Sequence, residues 1–105
     1  MLRIYGTALE TISELRPWVV ALERVDADLA RQMRRALASV ALNISEGAGS
    51  KGRLRKLRYH SAFGSALESQ SCIEVAGALH GAAPPSDRTL DKLSHVAGAL
   101  AILSR

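Results

Sequence analysis

Residues 36–45 read ALASVALNIS, ten consecutive positions without a charge, and their reading decides the fold. Around them Met33, Leu37, Val40 and Ile44 recur at the spacing of one helical face. Arg35, Ser39, Asn43 and Glu46 gather on the opposite side. Asp26 or Asp28 offers an N-cap, and Gly47 with Gly49 offers the stop, which predicts a helix over 27–47. A stripe this narrow beside an uncharged outer face is not the pattern of a helix solvated on one side. It predicts cover from more than one direction.

The same periodicity continues outward. On the N-terminal side Tyr5, Ala8, Leu9, Ile12, Leu15, Val19 and Leu22 predict a helix over 4–23. Pro17 falls opposite that stripe, where it either kinks one helix around its core or divides it into two shorter ones. On the C-terminal side a long helix is expected over 53–81. Between Ser61 and Leu79 its only charges are Glu68 and Glu74. Ser61, Ser65, Gln70 and the two glutamates make a membrane span expensive, so burial in an assembly of copies is the better account. Ala82, Ala83, Pro84 and Pro85 break the chain, Ser86 caps the next helix, and Leu90, Leu93, Ala97 and Leu100 stripe it over 86–104. No β-branched alternation or hairpin turn is present. The expectation is a single all-α domain over 1–105, an antiparallel up-and-down four-helix bundle.

Composition narrows function by exclusion. At 105 residues the chain has room for one modest core, and 48% hydrophobic with 23% charged residues is an ordinary folded balance. Aromatic residues at 4% are too few for a base-stacking platform. The lone Cys72 cannot form an internal disulfide, which points to a reducing, cytoplasmic setting. The start MLRIYGTALE lacks an apolar run behind a basic end, so no signal peptide is expected.

The net charge of +4 conceals an uneven distribution. Residues 31–60 hold eight basic groups against Glu46 alone, which gives +7, while the flanks carry −2 and −1. Arg34 and Arg35, then Lys51, Arg53, Arg55, Lys56 and Arg58, are the candidate nucleic-acid contacts, because such groups neutralise phosphates without reading sequence. A solvated surface and an acidic protein partner are the competing readings of the same run.

Other motifs carry less. Gly47 to Gly52 matches G-x-G-x-x-G, but that fingerprint needs a strand before it, and here it follows a helix. A flexible helix–helix loop is the better reading, able at most to hold a phosphate on backbone N–H groups. His60, His80, His95 and Cys72 lack convergent metal-ligand spacing, and no serine sits in a nucleophile elbow. No cofactor, metal or catalytic residue is therefore expected. Asn43 and Glu46, three apart on one face, are expected to satisfy backbone groups or an arginine across an interface. Gly64-Ser65 is a small patch suited to close helix approach.

These residues also carry a resemblance. Gln32-Met33-Arg34-Arg35-Ala36, Ser39-Val40, Asn43-Ile44-Ser45-Glu46-Gly47, then Ala62, Gly64-Ser65 and Glu68, resemble the four-helix bundle proteins encoded in intervening sequences of bacterial 23S ribosomal RNA genes and their free-standing relatives. The likeness covers nearly the whole chain and departs from the family pattern at Pro17. It implies an antiparallel bundle assembling as a ring-like homopentamer, with Asn43, Glu46, Gly47, Gly64, Ser65 and Glu68 as architectural positions. A related bundle protein is the accessory factor of a retroelement reverse transcriptase, whose basic pentamer surface contacts nucleic acid. The expected function is thus a non-enzymatic helical protein offering a basic segment to RNA or DNA. The alternative is an oligomeric protein–protein adaptor, and the nearly chargeless faces of the second and third helices are the expected subunit contacts.

Overall fold

The computed structural model describes residues 3–105; Met1 and Leu2, part of the expected domain span and of the start just quoted, lie outside the described residues. Four helices follow in order: α1 (Arg3–Val25), α2 (Ala27–Ala48), α3 (Gly52–His80) and α4 (Asp87–Leu103), with no strand among the described residues. α1 runs unbroken through Pro17, whose ring faces solvent where a missing N–H is tolerated. The alternative of two shorter helices is therefore corrected to one.

Each helix packs on its two neighbours in the order α1–α2–α3–α4–α1, most extensively between α2 and α3. Cross-helix contacts fix the antiparallel sense. Thr89 of α4 reaches Glu14 of α1, Ser65 of α3 reaches Ser39 of α2, and Gln70 of α3 reaches Ser94 of α4. The bundle measures 43 × 24 × 19 Å. α1's N-terminus, the α2–α3 turn and α4's C-terminus consequently share one end, called the lower end below. The α1–α2 and α3–α4 connections share the upper end.

The helix ends follow from local chemistry. Asp26 is the single residue between α1 and α2, and its carboxylate accepts the Leu29 N–H at 3.0 Å. Its other oxygen meets His80 Nε2 at 2.9 Å, which ties the end of α3 to the start of α2. Gly81, expected as the last turn of α3, is its left-handed cap at φ 64°, with N–H groups of Gly81 and Ala82 returning to Gly77 and Ala76. Trp18 Nε1 donates to the Ala83 carbonyl at 2.8 Å, pinning the α3–α4 connection onto α1. Ser86 accepts the Thr89 N–H at the start of α4.

The core forms two clusters. The upper one gathers Leu15, Val19, Met33, Leu37, Ile73 and Leu93; the lower one gathers Ile4, Val40, Ile44, Tyr59, Val96 and Leu100. Between them lies a void of about 10 Å³ bordered by Thr11, Leu37, Val40, Leu93 and Val96. The fully buried Thr11 and Ser69 sit at this level without loss, since each hydroxyl donates to the carbonyl four residues back. Leu9 corrects the expected stripe: it is 44% exposed, because Ala8 takes the central position and the next residue turns away from it. Near the middle of α1 a Lys92 ammonium lies between Glu10 and Glu14, joining α4 to α1.

Candidate nucleic-acid interface

At the lower end α2 closes with Gly47 buried in its last turn. A Cβ there would stand 2.6 Å from Tyr59 Cε1 and 2.8 Å from Cδ1, so only glycine lets the Tyr59 ring pack across α2. Gly49 caps the helix, and Ser50 and Lys51 complete the turn before Gly52 opens α3 at φ +57°. The Gly47–Gly52 motif is therefore a helix end, a tight turn and a helix start, not a phosphate-cradling loop after a strand.

The architectural positions of the sequence reading meet here in part. Asn43 donates from Nδ2 to the Ser39 carbonyl and to Ser39 Oγ, each at 3.0 Å. Ser65 Oγ donates to the same Ser39 hydroxyl at 2.7 Å, closing a polar chain across α2 and α3. Glu46 pairs with Arg58 of α3 at 3.3 Å within the subunit. Gly64 behaves otherwise. It is exposed, nothing lies within 4 Å of a Cβ built on it, and within the monomer it permits no close approach. Glu68 is likewise exposed.

The +7 segment separates into two places. Arg31, Arg34 and Arg35 lie on the upper half of α2, with Arg35 about 20 Å along the helix from its lower end. Arg31 pairs with Asp28 at 2.7 Å and Arg34 pairs with Glu23, so this part is largely offset. The second part surrounds the α2–α3 turn. Arg55 stays at the surface but folds back over the end of α2: its Nε donates to the carbonyls of Ser50 at 2.8 Å and Gly47 at 3.2 Å, and its Nη2 to that of Ala48 at 3.4 Å. It caps the end of α2, a use of cationic charge that the helix dipole favours. Arg58 is shared with Glu46.

That leaves Arg35 on the upper half of α2, and Lys51, Arg53 and Lys56 at the lower end, exposed and, among the described residues, without an ion pair. Antiparallel topology adds two cations that a linear reading misses. Arg3 opens α1 and Arg105 follows α4, both at this end, as the shared packing of Ile4, Ile44, Tyr59 and Leu100 requires. The signal for them was the up-and-down order itself, which brings the start of α1 and the end of α4 beside the middle turn. The helix dipoles add no net charge here, since the positive N-termini of α1 and α3 stand beside the negative C-termini of α2 and α4.

Elsewhere the molecule offers little chemistry. A groove of about 590 Å³ between α3 and α4 is lined mainly by apolar side chains such as Ile73, Leu90 and Leu93, with Gln70, Glu74 and Ser94 its polar contributors. Among the described residues no group of His, Cys, Asp and Glu could hold a metal ion. Burial pushes the Cys72 thiol up in pKa, and the Glu68 charge adds to that, which keeps it from being a nucleophile. No helix is long and apolar enough to cross a membrane. No curated protein matches the chain, and no solved structure does. A family model, however, matches residues 2–100. The chain belongs to the 23S rRNA-intervening sequence protein family.

Proposed function

We propose that the chain is a non-enzymatic, cytoplasmic helical-bundle protein that holds RNA by its phosphates through the lower end, in a ring-like homopentamer. The observation that carries this reading is the convergence of Lys51, Arg53 and Lys56 with Arg3 and Arg105 at one end of the bundle. Each contact of this kind is weak. Five copies of the end facing one strand convert it into useful avidity. Family membership supports the RNA partner, and the resemblance supports the ring.

The test is a titration of single-stranded RNA at increasing salt, with charge reversal at Lys51, Arg53 and Lys56. Binding should fall with a logarithmic slope of about −0.7 per phosphate contacted, and the reversed variant should lose both affinity and slope. Arg55 is left unchanged, because it caps α2 and its loss would confuse binding with folding. An unaltered affinity in the reversed variant refutes the assignment. A stoichiometric protein partner, captured equally after nuclease treatment, would favour the adaptor reading. A measured mass of five chains tests the ring.

A further inference from the structure

The groove between α3 and α4 is closed at both ends. Ile73 and Leu93, both buried, form its floor, and half-buried Leu90 stands on its α4 wall. At one end Gln70 Nε2 donates to Ser94 Oγ at 3.3 Å, bridging the two helices. At the other end Ala82 and Pro84 of the α3–α4 connection cross over. That crossing is held from both sides: Trp18 Nε1 donates to the Ala83 carbonyl at 2.8 Å, and the Ala82 N–H donates to the Ala76 carbonyl at 3.4 Å. Between the two ends run residues 70–78 of α3, about 12 Å of helix. A volume of about 590 Å³ over that length holds a compact small molecule, whereas a partner helix of several turns would collide with the closed ends.

The charge of the groove has one sign. Among the described residues no Lys, Arg or His lines it, and Glu74 lies midway along its α3 wall without an ion pair. Lys92 of α4 is turned away, to Glu10 and Glu14 of α1. The carboxylates that lack an ion pair among the described residues are Glu68, Glu74, Asp87 and Asp91, all on the second half of α3 or on α4. Gln70 uses an amide N–H on Ser94, which leaves its carbonyl oxygen as an acceptor beside the same floor. We infer that this groove binds a small organic cation, its ammonium group on Glu74 and Gln70 and its compact apolar body on Ile73, Leu90 and Leu93. An ammonium carries three donors and no acceptor, which suits a carboxylate beside an amide oxygen. The apolar floor asks for the body as well as the charge. The inference goes beyond the RNA reading and does not rest on it, since the groove shares no residue with the cations of the lower end.

The test titrates phenylbutylamine into the full chain and follows amide NMR shifts. Saturable one-to-one binding in the millimolar range or tighter is expected, with shifts concentrated at residues 70–78 and 90–94. The neutral alcohol and the carboxylate of the same skeleton should bind at least about tenfold more weakly. Spermidine, which has the charge without the apolar body, should be weaker by about as much. Glu74→Gln should bring amine and alcohol within about twofold of each other. Glu68→Gln, on the same helix but outside the groove, should leave the preference intact. Ala78→Trp, at an exposed position on the rim, should block amine and alcohol alike. If that chain melts below the wild type, Glu74→Gln decides, because its carboxylate pairs with nothing in the fold. Equal losses in the Glu74 and Glu68 variants mean diffuse surface attraction and overturn the site. Shifts confined elsewhere, an amine no tighter than the alcohol or spermidine, or no saturation overturn it too. RNA affinity should be unchanged in Glu74→Gln, so this inference and the RNA reading fail separately.

Discussion

Replacing Gly47 by alanine gives the sharpest test of how the lower end is built. In the interior of a helix this change ordinarily stabilises by up to about 1 kcal/mol, since alanine is the better helix former. Here the new methyl would lie 2.6 Å from Tyr59 Cε1 and 2.8 Å from Cδ1, well inside van der Waals contact. The ring must retreat by roughly an ångström, but it is only 3% exposed and packed within the lower core cluster. Overpacking of this kind costs about 1–3 kcal/mol. The two effects leave a net loss of about 1–2 kcal/mol, which lowers Tm by about 5–10 °C for a domain this size. Thermal melts followed by circular dichroism, at one fixed protein concentration, measure it. Gly98→Ala is the comparison: it too lies in a helix, nothing lies within 4 Å of its built Cβ, and it should raise stability by about 0.5–1 kcal/mol. Opposite signs for the two substitutions are expected. A Gly47→Ala protein that melts at or above the wild-type temperature refutes the close-approach argument.

Arg55→Ala should lower stability by about 1–2 kcal/mol through loss of the cap on α2, and Arg55→Lys should recover little, because an ammonium cannot reach three carbonyls as the planar guanidinium does; chemical denaturation checks both. Stability should also fall in acid. The Lys92 ammonium, chiefly, holds the Glu14 carboxyl below its usual range, and the Leu29 N–H, then His80, do the same for Asp26. A depressed carboxylate contributes fully above the unfolded value of about 4 and loses that contribution as pH falls through the lower folded value. Tm should therefore drop below about pH 4, and Glu14→Gln should make the drop shallower. The raised Lys92 has the opposite sense: its contribution is complete below about pH 10.4 and fades only as pH rises through the higher folded value, so it does not shape the acid limb. Cys72 should be inert to an aromatic disulfide reagent at neutral pH in the folded protein and react fully on denaturation, which absorbance of the released thiolate records.

Much of the fold was readable from periodicity, because Met33, Leu37, Val40 and Ile44 need one helical face and all four are buried there. The caps Asp26 and Ser86 were readable too, since a short oxygen-bearing side chain before an apolar stripe has one favourable use. Gly47 was read as a helix stop and is instead a contact. A glycine near a helix end looks the same in sequence whether it frees the backbone or admits a ring from a helix not yet placed. Arg55 shows the corresponding limit for charge. Counting cations cannot tell one exposed to solvent from one turned onto carbonyls, whereas the turn that brings Ser50 and Gly47 within its reach exists only in three dimensions. Arg3 and Arg105 were missed because a window along the chain averages neighbours in sequence, and this end of the bundle is assembled from three separate parts of it.

The division of the core into two clusters, with a small void at the level between them, makes the two halves of the bundle separately packed units. Each cluster draws side chains from all four helices, so either half remains enclosed when the other loosens. Amide hydrogen exchange at the lower end is therefore expected to proceed through partial opening, and one common rate for both halves would count against it. The cations around the α2–α3 turn ride on one half, while Trp18, His80 and Asp26 tie together the helix connections of the other.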